Sequence, residues 1–150
     1  MKKSFEEIME QIKTLCGSVS EFAYGDLNIP EDEQFIKDQE VYKAWSALRP
    51  AGRNDTAEYT EWYAQRPTTN YHQELRKRYL DSIDLYFEEV DSYGGEGQGE
   101  TWYIVYYFPA HELHIRVNGY YQSYNGTEFY GGWDCCKEVK PVQKTITVYE

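Results

Sequence analysis

Residues 101–108 read Thr-Trp-Tyr-Ile-Val-Tyr-Tyr-Phe, and this stretch decides the fold. β-branched and aromatic residues fill it, which is typical of a strand. Aromatic rings occur at both sets of alternating positions, which indicates a central strand with neighbours on both sides. Pro109 and Ala110 then turn the chain, and Leu113 opens a second alternation of apolar and polar residues. The sequence therefore predicts two adjacent antiparallel strands.

The second of these strands leads into a hairpin. Its inner face starts at Leu113, and its outer face consists of the residues in between, which are His114, Arg116, Asn118, Tyr120 and Gln122. Asn125-Gly126 predicts a two-residue hairpin turn. A returning strand then starts near Glu128, and Gly131-Gly132 interrupts it. Residues 144–149, Lys-Thr-Ile-Thr-Val-Tyr, alternate once more and predict a last strand.

A further strand is expected before the glycine-rich residues 94–99. Ile83, Leu85 and Phe87 alternate with polar residues, which predicts a half-buried strand, and continuation of the preceding helix is the alternative. The glycine-rich loop joins this strand to residues 101–108. It does not fit the dinucleotide-binding fingerprint, because that motif requires a buried parallel strand before it and a helix after it.

The first eighty residues predict helices. Ser4 to Glu7 forms a capping box in front of a helix over residues 5–15. Further helices are expected from about Pro30 to Leu48, around Tyr59 to Tyr63 after a cap at Asp55 or Thr56, and after a cap at Thr69 or Asn70. Ser18 to Pro30 stays open between a short strand and an extended connector.

These elements predict an α+β fold in which N-terminal helices, about residues 5–80, pack on a C-terminal antiparallel β-meander sheet, about residues 83–149. The length of 150 residues is that of one ordinary domain. The chain shows no internal repeat, no low-complexity tract and no linker. We therefore expect a single domain over residues 1–150.

Charge and cysteine content narrow the function classes. The formal net charge of −11 argues against direct binding of nucleic acid or of an anionic membrane surface, because both require clustered Lys and Arg. The start of the sequence lacks the apolar core of a signal peptide, and no run of residues is long enough to cross a bilayer. Together with three cysteines, two of them adjacent, this predicts a reduced, cytosolic protein.

No arrangement of residues predicts catalysis or a cofactor. His111 and His114 are three apart, so on a strand they point to opposite faces, and the same holds for Cys135 and Cys136. Paired Cys or His motifs of the kind that bind zinc are missing, and no motif marks a Cys–His nucleophile pair. We expect no enzyme activity, no cofactor and no metal. The alternative is a small-molecule or nucleotide binder, or an enzyme, with a pocket between sheet and helices lined by Tyr103, His114, Arg116 and Tyr120.

Binding of another protein is the function that the residue pattern favours. Tyr and Arg are enriched at the centres of protein interfaces, and both occur on the outer face of the strand after Pro109. From Asp81 to Glu100 the chain carries acidic residues and neither Lys nor Arg. The expected binding residues are Asp84, Glu88, Glu89, Asp91, Glu96, Tyr103, His114, Arg116, Tyr120 and Tyr124. Such a surface suits a partner protein with a basic surface.

Four segments of the sequence also carry a family resemblance: Gly94–Glu100, Val105–Phe108, Gly119–Thr127 and Glu138–Tyr149. In these the last third of the chain resembles small acidic proteins encoded by tailed bacteriophages. The resemblance implies an accessory protein in the cytoplasm of the host bacterium, which binds and inhibits a host or anti-phage defence protein. A structural or assembly role in the virion is the alternative, and a homodimer stays open.

Overall fold

The computed structural model describes all 150 residues and confirms the α+β class, with five α-helices ahead of an antiparallel sheet. Its contacts divide the chain into two compact units. The first, here called the sheet unit, comprises Met1–Asn28 and Ile83–Glu150, and the second, the helical unit, comprises Ile29–Ser82. That the chain folds as one domain stays a prediction.

Two helices belong to the sheet unit. Helix α1 spans Phe5–Leu15 as predicted, and its cap Ser4 accepts a hydrogen bond from the backbone N–H of Glu7 at 3.2 Å. Helix α2 spans Val19–Ala23, where we expected a strand or an extended connector. The expectation was wrong because Val19, Phe22 and Ala23 lie at helical spacing on one buried face, and Ser18 caps the short helix.

The helical unit contains α3 (Glu33–Ala47), α4 (Ala57–Ala64) and α5 (Tyr71–Ser82). Thr56 caps α4, and Asn70 accepts a hydrogen bond at the start of α5 from the backbone N–H of Gln73 at 3.1 Å, so one of each pair of candidate caps is confirmed. Helix α3 begins later than predicted because Asp32 is its cap. Of the residues of α3, only Phe35 is buried.

The sheet contains five antiparallel strands: β1 (Glu88–Tyr93), β2 (Thr101–Phe108), β3 (Leu113–Gln122), β4 (Gly126–Glu128) and β5 (Cys136–Val139). The strand order is β1-β2-β3-β4, and β5 also pairs with β3. The meander is therefore confirmed, with β2 in the predicted bounds. The returning strand is broken as expected, since β4 and β5 follow one another along the same edge of β3.

Three predictions for the sheet were wrong: the position of one strand, the length of one turn and the existence of the last strand. The strand expected from Ile83 is displaced to Glu88–Tyr93, because Leu85 and Phe87 are fully buried in a connection ahead of the ladder. The two-residue turn predicted at Asn125-Gly126 is a three-residue loop, residues 123–125, because Gln122 pairs with Gly126. Gly126 follows the loop and adopts a φ of 73°. Residues 144–149 form no strand, and they are exposed to solvent without a partner strand.

The core of the sheet unit lies on one face of the sheet. Ile104 pairs with Val117, Tyr106 with Ile115 and Phe108 with Leu113, and all six side chains are buried. Helix α2 packs on this inner face through Phe22, whose ring lies 5.1 Å from that of Tyr106 and 5.6 Å from that of Phe87. The Tyr106 hydroxyl donates a hydrogen bond to the carbonyl of Ala23 at 2.9 Å.

Candidate functional site on the outer face of the sheet

The candidate site lies on the face of the sheet opposite the core. Side chains alternate between the two faces along each strand, so the residues that lie between the buried ones point to the opposite face. On β2 and β3 these intervening residues are Tyr103 opposite Asn118, Val105 opposite Arg116, and Tyr107 opposite His114. The register of β1 adds Glu88, Asp91 and Tyr93, and that of β3 with β4 adds Tyr120 and Glu128. Strand β5 adds Lys137 opposite Arg116 and Val139 opposite His114. We call this set of side chains the outer face.

Arg116 lies at the centre of the outer face and is held on both sides. Its guanidinium lies 3.9 Å from the centre of the Tyr103 ring, in the geometry of a cation–π contact. Its Nε donates a hydrogen bond to Oδ1 of Asn118 at 2.7 Å. These contacts fix the guanidinium over an aromatic ring, so less side-chain entropy is lost when a partner binds it.

Aromatic stacking extends this surface across three strands. The rings of Tyr93 and Tyr103 are stacked with centres 6.0 Å apart, and those of Tyr107 and His114 are stacked at 4.5 Å. The Tyr103 hydroxyl reaches Oδ2 of Asp91 at 3.4 Å. The result is a surface of flat rings with carboxylates at its margin, and rings of this kind contribute large contact areas in protein interfaces.

The acidic margin is the edge strand β1. All six of its residues are exposed, and it carries Glu88, Glu89 and Asp91 without a basic residue. A β-bulge between Glu89 and Asp91 places the extra residue Val90 in this edge. The surrounding sheet unit has sixteen carboxylate side chains against seven Lys and Arg, so its field attracts cations.

A second acidic patch lies at the end of the sheet, where the β1–β2 loop and the β3–β4 hairpin border a cleft of about 490 Å³. The Tyr121 hydroxyl donates a hydrogen bond to Glu96 at 2.6 Å, which raises the pKa of Tyr121. A hydrogen bond to Glu100 likewise raises the pKa of Tyr120. Both phenols therefore stay protonated and neutral, and the charge of this cleft comes from the two carboxylates. Tyr124 lies exposed at its rim.

The structure brings together six of the ten expected binding residues on the outer face: Glu88, Asp91, Tyr103, His114, Arg116 and Tyr120. Glu96 and Tyr124 lie at the cleft at the end of the sheet. Asp84 lies in the connection before β1, and Glu89 is paired with Tyr106 and so belongs to the other side of the edge strand. Neither Asp84 nor Glu89 is part of the outer face.

Sequence reasoning missed Tyr93 and Tyr107 as members of this surface. The alternation of Tyr103, Val105 and Tyr107 contained the signal for Tyr107. No signal could have placed Tyr93, since its position depends on the register of β1, which the sequence placed too early. The displaced strand also explains why Asp84 was expected on this surface.

Four of the expected residues do not form a pocket with α1 and α2. Tyr103, His114, Arg116 and Tyr120 lie on the face opposite Ile104 and Val117, away from those helices. A cleft of about 450 Å³ does lie between α1 and β5, and its lining includes Met9, Lys13, Trp133 and Glu138. None of the four expected residues lines it.

The cysteine and histidine side chains are arranged for packing. All three thiols are free, and burial raises the pKa of Cys16 to about 11, that of Cys136 to about 12, and that of Cys135 above its usual value. The thiolate, which is the reactive form, is thus disfavoured. No group of three or more His, Cys, Asp or Glu side chains is placed to hold a metal ion.

Buried His111 connects three parts of the sheet unit. Its Nδ1 accepts a hydrogen bond from the backbone N–H of Lys3 at 2.9 Å, so Nε2 carries the proton and donates to the carbonyl of Asp84 at 2.7 Å. These bonds join the start of α1, the connection before β1 and the turn after β2. His114 lies on the outer face instead, as the alternation of residues along β3 predicted, whereas His111 lies in the turn before β3.

Comparison with protein-family models, with curated proteins and with solved structures gave no significant match in any of the three. The resemblance to small acidic phage proteins therefore stays a prediction. None of the five helices has both the length and the hydrophobicity needed to cross a lipid bilayer.

Proposed function

We propose that this protein is a non-enzymatic binding protein that holds a partner protein with a basic surface against the outer face. The observation that carries the proposal is the stack of Tyr93, Tyr103 and Arg116 beside the acidic strand β1. Tyr and Arg are the residues that dominate binding energy at interface centres, and carboxylates at the rim speed association with a cationic partner.

The chemistry of the site supports binding over catalysis. Its titratable groups form cation–π, stacking and hydrogen-bonding contacts with one another, and the thiols have raised pKa values because they are buried. An active site typically combines a nucleophile with a general base in a cleft. The outer face offers rings, a guanidinium, the ammonium group of Lys137 and rim carboxylates on a sheet surface, which is the composition of an interface core and rim.

The biological setting of the proposal rests on the resemblance to small acidic phage proteins. In that setting the protein acts in the cytoplasm of an infected bacterium and inhibits a host or anti-phage defence protein by occupying its basic surface. A defence protein that binds nucleic acid would present such a surface, because phosphate recognition requires clustered Lys and Arg. The acidic protein itself does not bind nucleic acid in this proposal.

The proposal is tested by affinity capture from bacterial lysate with the full chain as bait, at low and at high salt. Tyr93→Ala removes an outer-face ring that is 42% exposed, and Tyr63→Ala removes a ring of the helical unit that is 45% exposed. These two variants are therefore matched in exposure. We expect a specific partner that Tyr63→Ala retains, that Tyr93→Ala weakens, and that high salt releases, because salt screens the rim charges.

Two outcomes would refute the proposal in its present form. Capture that is equal for both tyrosine variants would place the binding surface outside the outer face. Affinity that is unchanged between low and high salt would remove the electrostatic part, because the Debye length shrinks from about 8 Å at physiological ionic strength to about 3 Å at 1 M salt.

A further inference from the structure

The segment Lys140–Glu150 has the sequence of a strand without a strand to pair with. Residues 145–149 read Thr-Ile-Thr-Val-Tyr, all of them residues enriched in sheets. The structure gives this segment no helix or strand, and Ile146, Val148 and Tyr149 are 73–93% exposed. Short uncharged runs with high β-propensity tend to add to an unpaired sheet edge.

The sheet has a matching unpaired edge at β1. This strand pairs with β2 on one side only, it ends the strand order, and all six of its residues are exposed. Its free backbone groups can accept one more strand. Three acidic side chains, Glu88, Glu89 and Asp91, and the bulge at Val90 disfavour pairing of two β1 strands with each other, because like charges would lie side by side.

Charge identifies the segment as the complementary strand. Lys144 lies directly before the β-prone residues 145–149 and Lys140 lies four residues earlier, whereas β1 carries acids and no base. A cross-strand pair of opposite charge stabilises a sheet by about 0.2–1 kcal/mol relative to alanines. The same segment is thus attracted to the edge that repels a second β1.

We propose that residues 144–149 of one copy add as a strand to β1 of a second copy, and that the exchange is reciprocal in a two-fold symmetric dimer. A two-fold arrangement lets each copy donate one segment and accept one, which closes the assembly. The added strand covers the backbone edge of β1 and leaves the rings of the outer face open. The inference does not depend on the proposed partner protein.

A proline substitution tests the proposal without disturbing the folded units. Ile146→Pro removes the backbone N–H and prevents regular strand pairing, whereas Ile146→Val keeps a β-branched side chain. Since residue 146 is exposed in the single chain, both variants should keep the thermal stability of the monomer. By analytical ultracentrifugation we expect a dimer for the natural sequence and for Ile146→Val, and a dissociation constant at least about tenfold higher for Ile146→Pro.

A second measurement identifies the strand that the segment contacts. Chains carrying Val90→Cys are mixed with chains carrying Val148→Cys under mild oxidation, with the natural sequence as the background control. The proposal predicts a disulfide-linked dimer of the two different chains.

Three results would overturn the proposal. The first is a monomer at every concentration, and the second is a dimer that Ile146→Pro leaves unchanged. The third is a mixture of the two single-cysteine variants that gives no linked dimer, while a chain carrying both Val90→Cys and Val148→Cys forms the disulfide within itself. Pairing of the whole segment with β1 of its own chain is disfavoured, because a strand added outside β1 would lie four strand spacings from β5, about 19 Å, whereas the five steps from Val139 to Lys144 span at most about 18 Å.

Discussion

At the scale of single residues, two polar side chains determine how neighbouring segments are joined. His111 is 4% exposed and uses both ring nitrogens to satisfy backbone groups of Lys3 and Asp84. Asp32 both caps α3 and accepts hydrogen bonds at 2.8 and 2.9 Å from Arg78 of α5. Sequence reasoning recognised neither role, because each depends on a partner that is distant in the chain.

Replacing His111 should destabilise the protein through its unpaired neighbours. His111→Phe fills the site but leaves the Lys3 N–H and the Asp84 carbonyl without their partner, which should reduce the free energy of unfolding by about 1–3 kcal/mol. His114→Phe, on the outer face, should change it by about 0.5 kcal/mol or less. Urea unfolding followed by circular dichroism measures both, and equal effects of the two variants would contradict the role assigned to His111.

The Asp32–Arg78 pair should stabilise the folded protein at neutral pH, and this contribution should be lost in acid. The hydrogen bonds from Arg78, together with the one from the backbone N–H of Phe35, lower the pKa of Asp32 from 3.8 to about 2. A carboxyl whose pKa is lower in the folded state stabilises that state, and it does so fully at pH values above the pKa that the group has in the unfolded chain. This stabilisation is lost as the pH falls towards 2. Asp32→Asn keeps an oxygen that can cap the helix and removes the charge.

The melting temperatures of the natural sequence and of Asp32→Asn should therefore differ by a constant amount from pH 7 to about pH 5 and converge as the pH falls towards 2. In an Arg78→Gln background the difference should become smaller, and what remains should come from the hydrogen bond that Asp32 accepts from the Phe35 N–H. A difference that stays constant down to pH 2, or that is undiminished without Arg78, would show that the pair is not its origin.

At the scale of elements, the sequence predicted what depends on a continuous local pattern. α1, β2 and β3 were recognised because their periodicity runs over eight residues or more without interruption. α2 was missed because five residues are too few to show a helical period. Residues 144–149 were predicted as a strand because their residue types have high β-propensity. That propensity carries no information on whether a sheet edge is available for the segment to pair with.

The loop between β1 and β2 offers a matched pair of glycines. Gly94 and Gly95 both adopt positive φ, at 116° and 126°. A Cβ on Gly94 would lie 2.5 Å from the carbonyl oxygen of Thr101, whereas a Cβ on Gly95 would have no atom within 4 Å. Gly94→Ala should therefore destabilise the protein by about 1–3 kcal/mol more than Gly95→Ala, because only the first adds a clash with backbone. Chemical unfolding of both variants measures the difference, and equal losses would contradict the loop geometry.

The contact between α3 and α4 is a reciprocal tryptophan pair. The indole N–H of Trp45 donates to the carbonyl of Trp62 at 3.0 Å, the N–H of Trp62 donates to the carbonyl of Trp45 at 2.9 Å, and the rings stack at 4.2 Å. Because each ring depends on the other for stacking, the effects of Trp45→Phe and Trp62→Phe on the free energy of unfolding should deviate from additivity by at least about 0.5 kcal/mol. Trp45→Phe combined with Trp102→Phe on β2 should be additive within that margin, and additivity in both combinations would refute the coupling.

At the scale of the whole molecule, charge is distributed unequally between the two units. The helical unit has ten carboxylate side chains against eight Lys and Arg, which is close to balance. The excess of negative charge therefore belongs to the sheet unit, which also carries the outer face and the strand β1. Composition predicted an acidic, tyrosine-rich surface, but only the register of the strands shows which tyrosines share a face with Arg116.

The most direct test of the account is oxidative footprinting of tyrosine side chains in the complex isolated by affinity capture, compared with the free protein. The account predicts that Tyr93, Tyr103 and Tyr107 lose reactivity when the partner is bound, whereas Tyr63, of similar exposure to Tyr93, keeps it. Protection of Tyr63 with an outer face that stays as reactive as in the free protein would contradict it.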